Sequence, residues 1–95
     1  MAEDIIVIRH LGALSWLREQ GIDAPLLEHV RHPKQIEGKN VYGVLPLWLA
    51  SYARSYNCID IPYIPLNLRG VELTTEQMYL YGARLRRYVV MEERI

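Results

Sequence analysis

The sequence has little of several things that would narrow its chemistry at once. It has one cysteine, Cys58, so no internal disulfide can form and a reducing compartment is expected. Inside its apolar run Cys58 reads as a small buried hydrophobe. There is no charge excess: eleven Lys and Arg residues balance eleven Asp and Glu residues. The broad basic face that duplex nucleic acid requires is therefore not implied, although a local basic pocket for a small anion is still allowed. No basic segment followed by an apolar stretch opens the chain, so no secretion signal is expected. No apolar run approaches the roughly 20 residues that span a bilayer. The expectation is a soluble cytoplasmic protein whose partners include neither duplex DNA nor a membrane.

Familiar site motifs are missing too. The chain contains no Gly-x-x-x-x-Gly-Lys-Ser/Thr phosphate loop, no Gly-x-Gly-x-x-Gly fingerprint and no Gly-x-Ser-x-Gly elbow. No histidine pair has helix-face spacing and there is no cysteine pair, which argues against zinc. No carboxylate cluster points to magnesium. Neither a metal nor another cofactor is expected, and repeats, linkers and low-complexity segments are absent.

What is present is a 95-residue chain, 51% apolar, which suits one small globular domain over residues 1–95 and excludes a disordered chain. So short a chain buries a limited share of its surface, and pairing with a second copy is a common remedy. Ile5-Ile6-Val7-Ile8 is apolar at every position, as in a strand buried on both faces. Leu11 to Gln20 reads as a helix with Leu14 and Leu17 inward, Trp16 in the core and Gly21 as its stop. Leu26 to Val30 reads as a short strand and 31–40 as a solvated basic loop. Val41 to Leu45 is a strand. Pro46 opens a helix whose stripe runs Leu49, Tyr52, Ala53, Tyr56, with Asn57 ending it. Cys58 to Ile61 is the next strand, extendable through Ile64 although Pro62 and Pro65 cannot donate to a ladder. Thr74 and Gln77 form a capping box before a helix that buries Met78, Tyr81 and Leu85, with Gly82 inside it and Arg84, Arg86 and Arg87 at its end. Tyr88 to Met91 closes the set as a strand. The order β-α-β-β-α-β-α-β predicts an α/β fold, a mainly parallel five-stranded sheet with helices on both faces.

In such sheets ligands sit beyond the carboxyl ends of the strands. Three turns are expected there: Arg9-His10-Leu11-Gly12, Val44-Leu45-Pro46 and Asn67-Leu68-Arg69-Gly70. Together they bring two arginines, a histidine and an asparagine to a rim poor in hydroxyls. Arginine grips phosphate oxygens through a planar fork, and histidine moves protons near neutral pH. The set suits a phosphodiester ligand; a solvated strand end accounts for the same residues equally well.

Short motifs along nearly the whole chain carry a family resemblance. They are Arg9-His10-x-Gly12-Ala13, Trp16, Gly21-Ile22, His29, Gly43-x-Leu45-Pro46, Leu49-Ala50, Arg69-Gly70-x-Glu72-Leu73 and Gly82-Ala83-Arg84-Leu85. In these the chain resembles the small ancillary Csx-type proteins encoded beside type III CRISPR systems. The resemblance implies a dimeric, small Rossmann-like (CARF-like) fold. It also implies a ring nuclease that degrades cyclic oligoadenylate, chiefly cyclic tetra-adenylate, without metal: the ribose 2′-hydroxyl attacks the adjacent phosphate and leaves a 2′,3′-cyclic phosphate. A protein need then only orient the backbone and stabilise the phosphorane. On this resemblance Arg9 and Arg69 are phosphate clamps, and His10 is a proton-transfer or positioning group that acts as base, acid or donor. Leu11, Gly12, Gly43, Leu45, Asn67 and Gly70 are expected to contact the ring, with Asn67 orienting it and the two glycines permitting close approach. The turn after Leu45 is expected to offer N–H donors. His29 is expected to turn inward as a structural histidine. The chain departs from the family pattern at Val44, where threonine is usual, and at His32 and Tyr63, where acidic residues are usual. The loss of a hydroxyl at Val44 leaves open weaker binding, another ring size, or binding without cleavage. Three functions follow: a ring nuclease, a non-catalytic sensor or sponge for the ring, and a structural accessory protein.

Overall fold

The computed structural model describes residues 2–93 and forms the β-branched run into strand β1, Asp4–Val7. Its side chains alternate between two cores, as a period of two requires. Ile5 and Val7 join one core with Ile36, Val41, Leu45, Leu49, Ala50, Ala53 and Tyr56. Ile6 and Ile8 join the other with Trp16, Leu17, Tyr42, Leu73 and Met78. Burial on both faces explains why every position of the run is apolar.

The chain continues through helix α1 (Leu11–Glu19), strand β2 (Leu26–Leu27), a 3-10 turn at Pro33–Gln35, strand β3 (Asn40–Gly43), helix α2 (Leu47–Ala50), strand β4 (Ser55–Asp60), a 3-10 turn at Leu66–Leu68, helix α3 (Thr75–Leu80) and strand β5 (Arg84–Tyr88). The sheet order is β2-β1-β3-β4-β5. β1 pairs in parallel with β2 and β3, β3 in parallel with β4, and β4 antiparallel with β5. The small Rossmann-like α/β architecture with a mostly parallel five-stranded sheet is as expected. α1 and α3 cover the face built on Ile6 and Tyr42; α2 and the loop at Ile36 cover the other. Trp16 is core, 2% exposed, with its ring tilted against Tyr79 at 6.5 Å between centroids. Cys58 is a partly buried free thiol beside the α2-side core. No helix among the described residues is long and apolar enough to cross a membrane.

Several elements differ from the sequence reading. α2 is one turn and does not reach Tyr56. Beyond Ala50 the groups that would extend it are taken by the loop before β3: Gly38 N–H donates to the Tyr52 carbonyl at 3.1 Å, and Arg54 N–H to the Lys39 carbonyl at 2.8 Å. Leu49, Ala53 and Tyr56 still enter one core, but through a helical turn, a bend and a strand, which mimics a helical stripe. Asn57 is no helix stop. It lies buried within β4 and its amide donates to the Val41 carbonyl and the Ser55 hydroxyl at 3.1 Å each. β2 has two residues, not five. The last strand begins at Arg84, because α3 ends at Leu80 and Gly82 lies in the turn beyond it. Arg84 and Arg86 therefore stand on an edge strand, with Asp60 of β4 at 3.1 and 3.5 Å. Arg87 donates to Asn57 Oδ1 at 2.7 Å. Met91, read as strand, lies beyond it and is exposed.

The capping box at Thr74 forms as read, with Gln77 N–H donating to the Thr74 hydroxyl at 3.1 Å and Thr74 N–H to the Gln77 amide oxygen at 3.0 Å. A second box caps the turn at Pro33, where Lys34 N–H donates to His32 Nδ1 at 3.1 Å. His32, one of the departures from the family pattern, thus supplies the acceptor that a carboxylate would supply there. Leu17 is fully buried between α1 and the sheet. Leu17→Ala is expected to lower unfolding free energy by about 2–5 kcal/mol, read as a fall in the urea midpoint with an unchanged slope.

Candidate functional site

The sheet order places a switch point between β1 and β3. The chain leaves β1 through α1 on one face and leaves β3 through α2 on the other, so the connections diverge and leave a crevice. A cleft of about 530 Å³ opens there, within the roughly 300–1,000 Å³ range of small-molecule sites. Val7, Ile8, Val30, Leu45 and Leu49 form its apolar floor, and Arg9, His10, Glu28, His29 and Arg31 stand around it beside Val44, Pro46 and Trp48. Two arginines against one carboxylate make the rim attractive to an anion.

The floor is set by the backbone at Gly43. Val44 N–H donates to the Val7 carbonyl at 3.0 Å. Gly43 has φ +135°, and a Cβ there would overlap that same carbonyl. Only glycine lets β3 bend away while it still lies against β1. Gly12 works in a similar way at the start of α1: a Cβ would overlap the Leu73 carbonyl, and the Gly12 carbonyl accepts from the Thr75 hydroxyl at 3.0 Å. Both close approaches are made by the protein's own backbone.

Leu45 is fixed from below. Its N–H donates to the buried Tyr56 hydroxyl at 3.0 Å, so this donor is committed to the fold. Burial pushes the Tyr56 phenol above its ordinary value near 10.0, against the opposing pull of the Leu45 N–H.

The two cleft histidines have different partners. Arg9 Nη2 donates to His29 Nδ1 at 2.8 Å. A guanidinium has no acceptor, so His29 Nδ1 must accept and its ring proton lies on Nε2. His10 Nδ1 faces Glu72 Oε2 at 3.5 Å. At that distance the two make an ion-pair contact when the ring is protonated, without a hydrogen bond between them. His10 is the N-cap residue of α1 and makes no side-chain cap bond, so its ring is available to Glu72. Both members of that pair are more than half exposed, so the contact orients more than it stabilises.

Of the residues expected at the site, Arg9, His10 and Leu45 line the cleft. Leu11 and Gly12 line a shallow neighbouring hollow with Ser15, Glu72 and Thr75. Gly43 pairs with Val7 across the two strands and does not itself line the cleft. Asn67, Arg69 and Gly70 stand on the exposed loop after β4 and line neither hollow. His29 is exposed and reaches Arg9, not the core, because β2 ends at Leu27 and the backbone turns outward there. Sequence reasoning missed Arg31 and Trp48. Arg31 was visible as part of a basic loop, but its position depends on the capped turn: its N–H donates to Gln35 Oε1 at 2.6 Å. Trp48 was hidden by the helical stripe, which counted only inward positions.

A family model described as "Putative CRISPR-associated protein (Cas_VVA1548)" matches residues 5–91. That range spans every strand and helix except the first residue of β1. No curated protein and no solved structure matches the chain.

Burial of the Tyr56 phenol has a testable pH signature. With the folded phenol raised, its contribution to stability is complete below about 10 and is lost as pH rises from there through the folded value, since the unfolded chain ionises first. Tyr56→Phe is expected to lose about 1–3 kcal/mol at neutral pH by leaving Leu45 N–H unpaired. It should also flatten the alkaline fall, measured by urea unfolding from pH 8 upward.

Proposed function

The chain belongs to the Cas_VVA1548 family of CRISPR-associated proteins, and from that premise we propose that it is a ring nuclease for cyclic oligoadenylate, chiefly cyclic tetra-adenylate. In this role it switches off type III signalling by destroying the second messenger. The observation that carries the reading is the cleft at the β1–β3 switch point, where Arg9 and His29 are bonded at 2.8 Å beside His10 and Arg31. A phosphodiester needs cationic donors for its phosphate, one group to take a proton and one hydrogen-bond donor for the leaving oxygen. The rim supplies each of these types.

The chemistry uses the ligand, these side chains and water. The ribose 2′-oxygen attacks phosphorus in line while its proton passes to His10 Nε2. The bond from phosphorus to the 5′-oxygen breaks while His29 Nε2–H hydrogen-bonds that leaving oxygen, which takes its proton from water, because a ring whose Nδ1 accepts from Arg9 is neutral and keeps its N–H. Arg9 and Arg31 hold the phosphorane charge. The products are linear, with a 2′,3′-cyclic phosphate at one end and a 5′-hydroxyl at the other, and no metal takes part. A homodimer presents the cleft twice, which suits a ring with repeated phosphates. Arg69 and Asn67, on the loop that leaves β4, are assigned to the outer contacts of the ring.

A second reading is a sponge that holds the ring intact. It is favoured by Val44, which gives the wall an exposed apolar side chain where the family pattern has a hydroxyl.

Incubation with cyclic tetra-adenylate in EDTA separates the two. The nuclease yields linear products with cyclic phosphate ends; the sponge co-elutes with an unchanged ring. Arg9→Ala is expected to lower turnover by about 10²–10³-fold, and His10→Ala and His29→Gln each by about 10²–10⁴-fold, with circular dichroism and elution volume unchanged. Wild-type rates in all three would remove the assignment of these residues.

A further inference from the structure

Trp48 is the one large aromatic side chain on the cleft wall, and it is 55% exposed. It belongs to the single turn α2, whose Leu49 and Ala50 point into the core. Those two positions anchor the turn, so the fold does not need an indole at position 48. A tryptophan left half in water forgoes much of its possible burial. Beside it Val44 is 65% exposed on the same wall. Across the cleft stand Arg9 and Arg31. The cleft is thus divided between an apolar aromatic wall and a cationic rim.

We infer that Trp48 is the stacking platform for a nucleobase, with the sugar-phosphate held across the cleft by Arg9 and Arg31. This deepens the ring-nuclease reading, and rests on it, by assigning the base-binding half of the same site. A π-face at the wall and guanidinium groups at the rim match the two ends of a nucleotide. A sugar phosphate, a bare phosphate or an acidic peptide would use the rim and leave the indole idle. Stacking accepts any base, so the wall gives affinity and orientation; a 2′-hydroxyl brought into line depends on such orientation.

The protein carries its own probe. It has two tryptophans: Trp16, 2% exposed and in the core, and Trp48 on the cleft wall. Emission quenched by ligand therefore reports Trp48, while Trp16 reports the fold. Expected are quenching by 5′-AMP and by cyclic tetra-adenylate and none by ribose 5-phosphate. Trp48→Ala should weaken ring binding by about 10–100-fold, mostly as a raised KM with a smaller fall in kcat. Trp48→Phe should restore most of the affinity and Trp48→Leu little of it, which separates stacking from mere apolar bulk. Trp16 emission and the urea midpoint should be unchanged in all three.

Ring binding and cleavage at wild-type levels in Trp48→Ala, or rescue by Leu equal to that by Phe, would overturn the platform and leave the nuclease reading intact. Quenching by 5′-AMP with no ring binding by calorimetry would support the platform and overturn the ring as its ligand. Absence of quenching by both ligands would overturn the platform, and calorimetry on the ring would then judge the nuclease reading by itself.

Discussion

The lie of β3 against β1 at Gly43 and Val7 is the constraint on which the rest depends. A side chain at position 43 would overlap the Val7 carbonyl. Without one, Val44 N–H reaches that carbonyl and the strand ends by turning away. That turn sends Leu45 down to Tyr56 and Trp48 out to the wall. Beside it β1 has already released Arg9 and His10 toward α1. The cleft is the gap that these two departures leave. Its position follows from strand order, and its chemistry from the residues placed first after each strand.

The charged groups in the cleft act through direction more than strength. Arg9 cannot accept a hydrogen bond, so it dictates that the His29 ring proton lies on Nε2. His29 is left with an N–H to donate, and His10 has Glu72 near its Nδ1. Such contacts need no deep burial: Arg9, His10 and His29 are all exposed. The apolar floor beneath them is supplied by the core that holds the sheet together.

Much of the fold was legible because burial on two faces leaves a plain mark. Ile5 to Ile8 and Val41 to Tyr42 read as inner strands for the reason that they are inner strands. The capping box at Thr74 was legible because it is local. What misled was any pattern that two geometries satisfy. Leu49, Ala53 and Tyr56 share one core and have helical spacing, yet the hydrogen bonds of Tyr52 and Arg54 to the loop at 38–39 decide the matter, and those partners are distant in sequence. The arginines of β5 read as a helix end because a strand at a sheet edge, one face polar, has no apolar alternation to announce it. In the site, Arg9 and His10 could be placed from strand order alone. His29, Arg31 and Trp48 could not, since their positions depend on where β2 stops, on how His32 caps a turn, and on how short α2 is.

The central claim is that this cleft is where a cyclic oligoadenylate binds. The most direct measurement is a nuclear magnetic resonance titration of the isotopically labelled protein with cyclic tetra-adenylate 2′-O-methylated so that it cannot be cut. The account predicts shifts at Arg9, His29, Arg31, Val44 and the Trp48 indole N–H, with Trp16 unmoved. Shifts confined to Asn67–Gly70 or to β5, with the cleft silent at saturating ring, would contradict it.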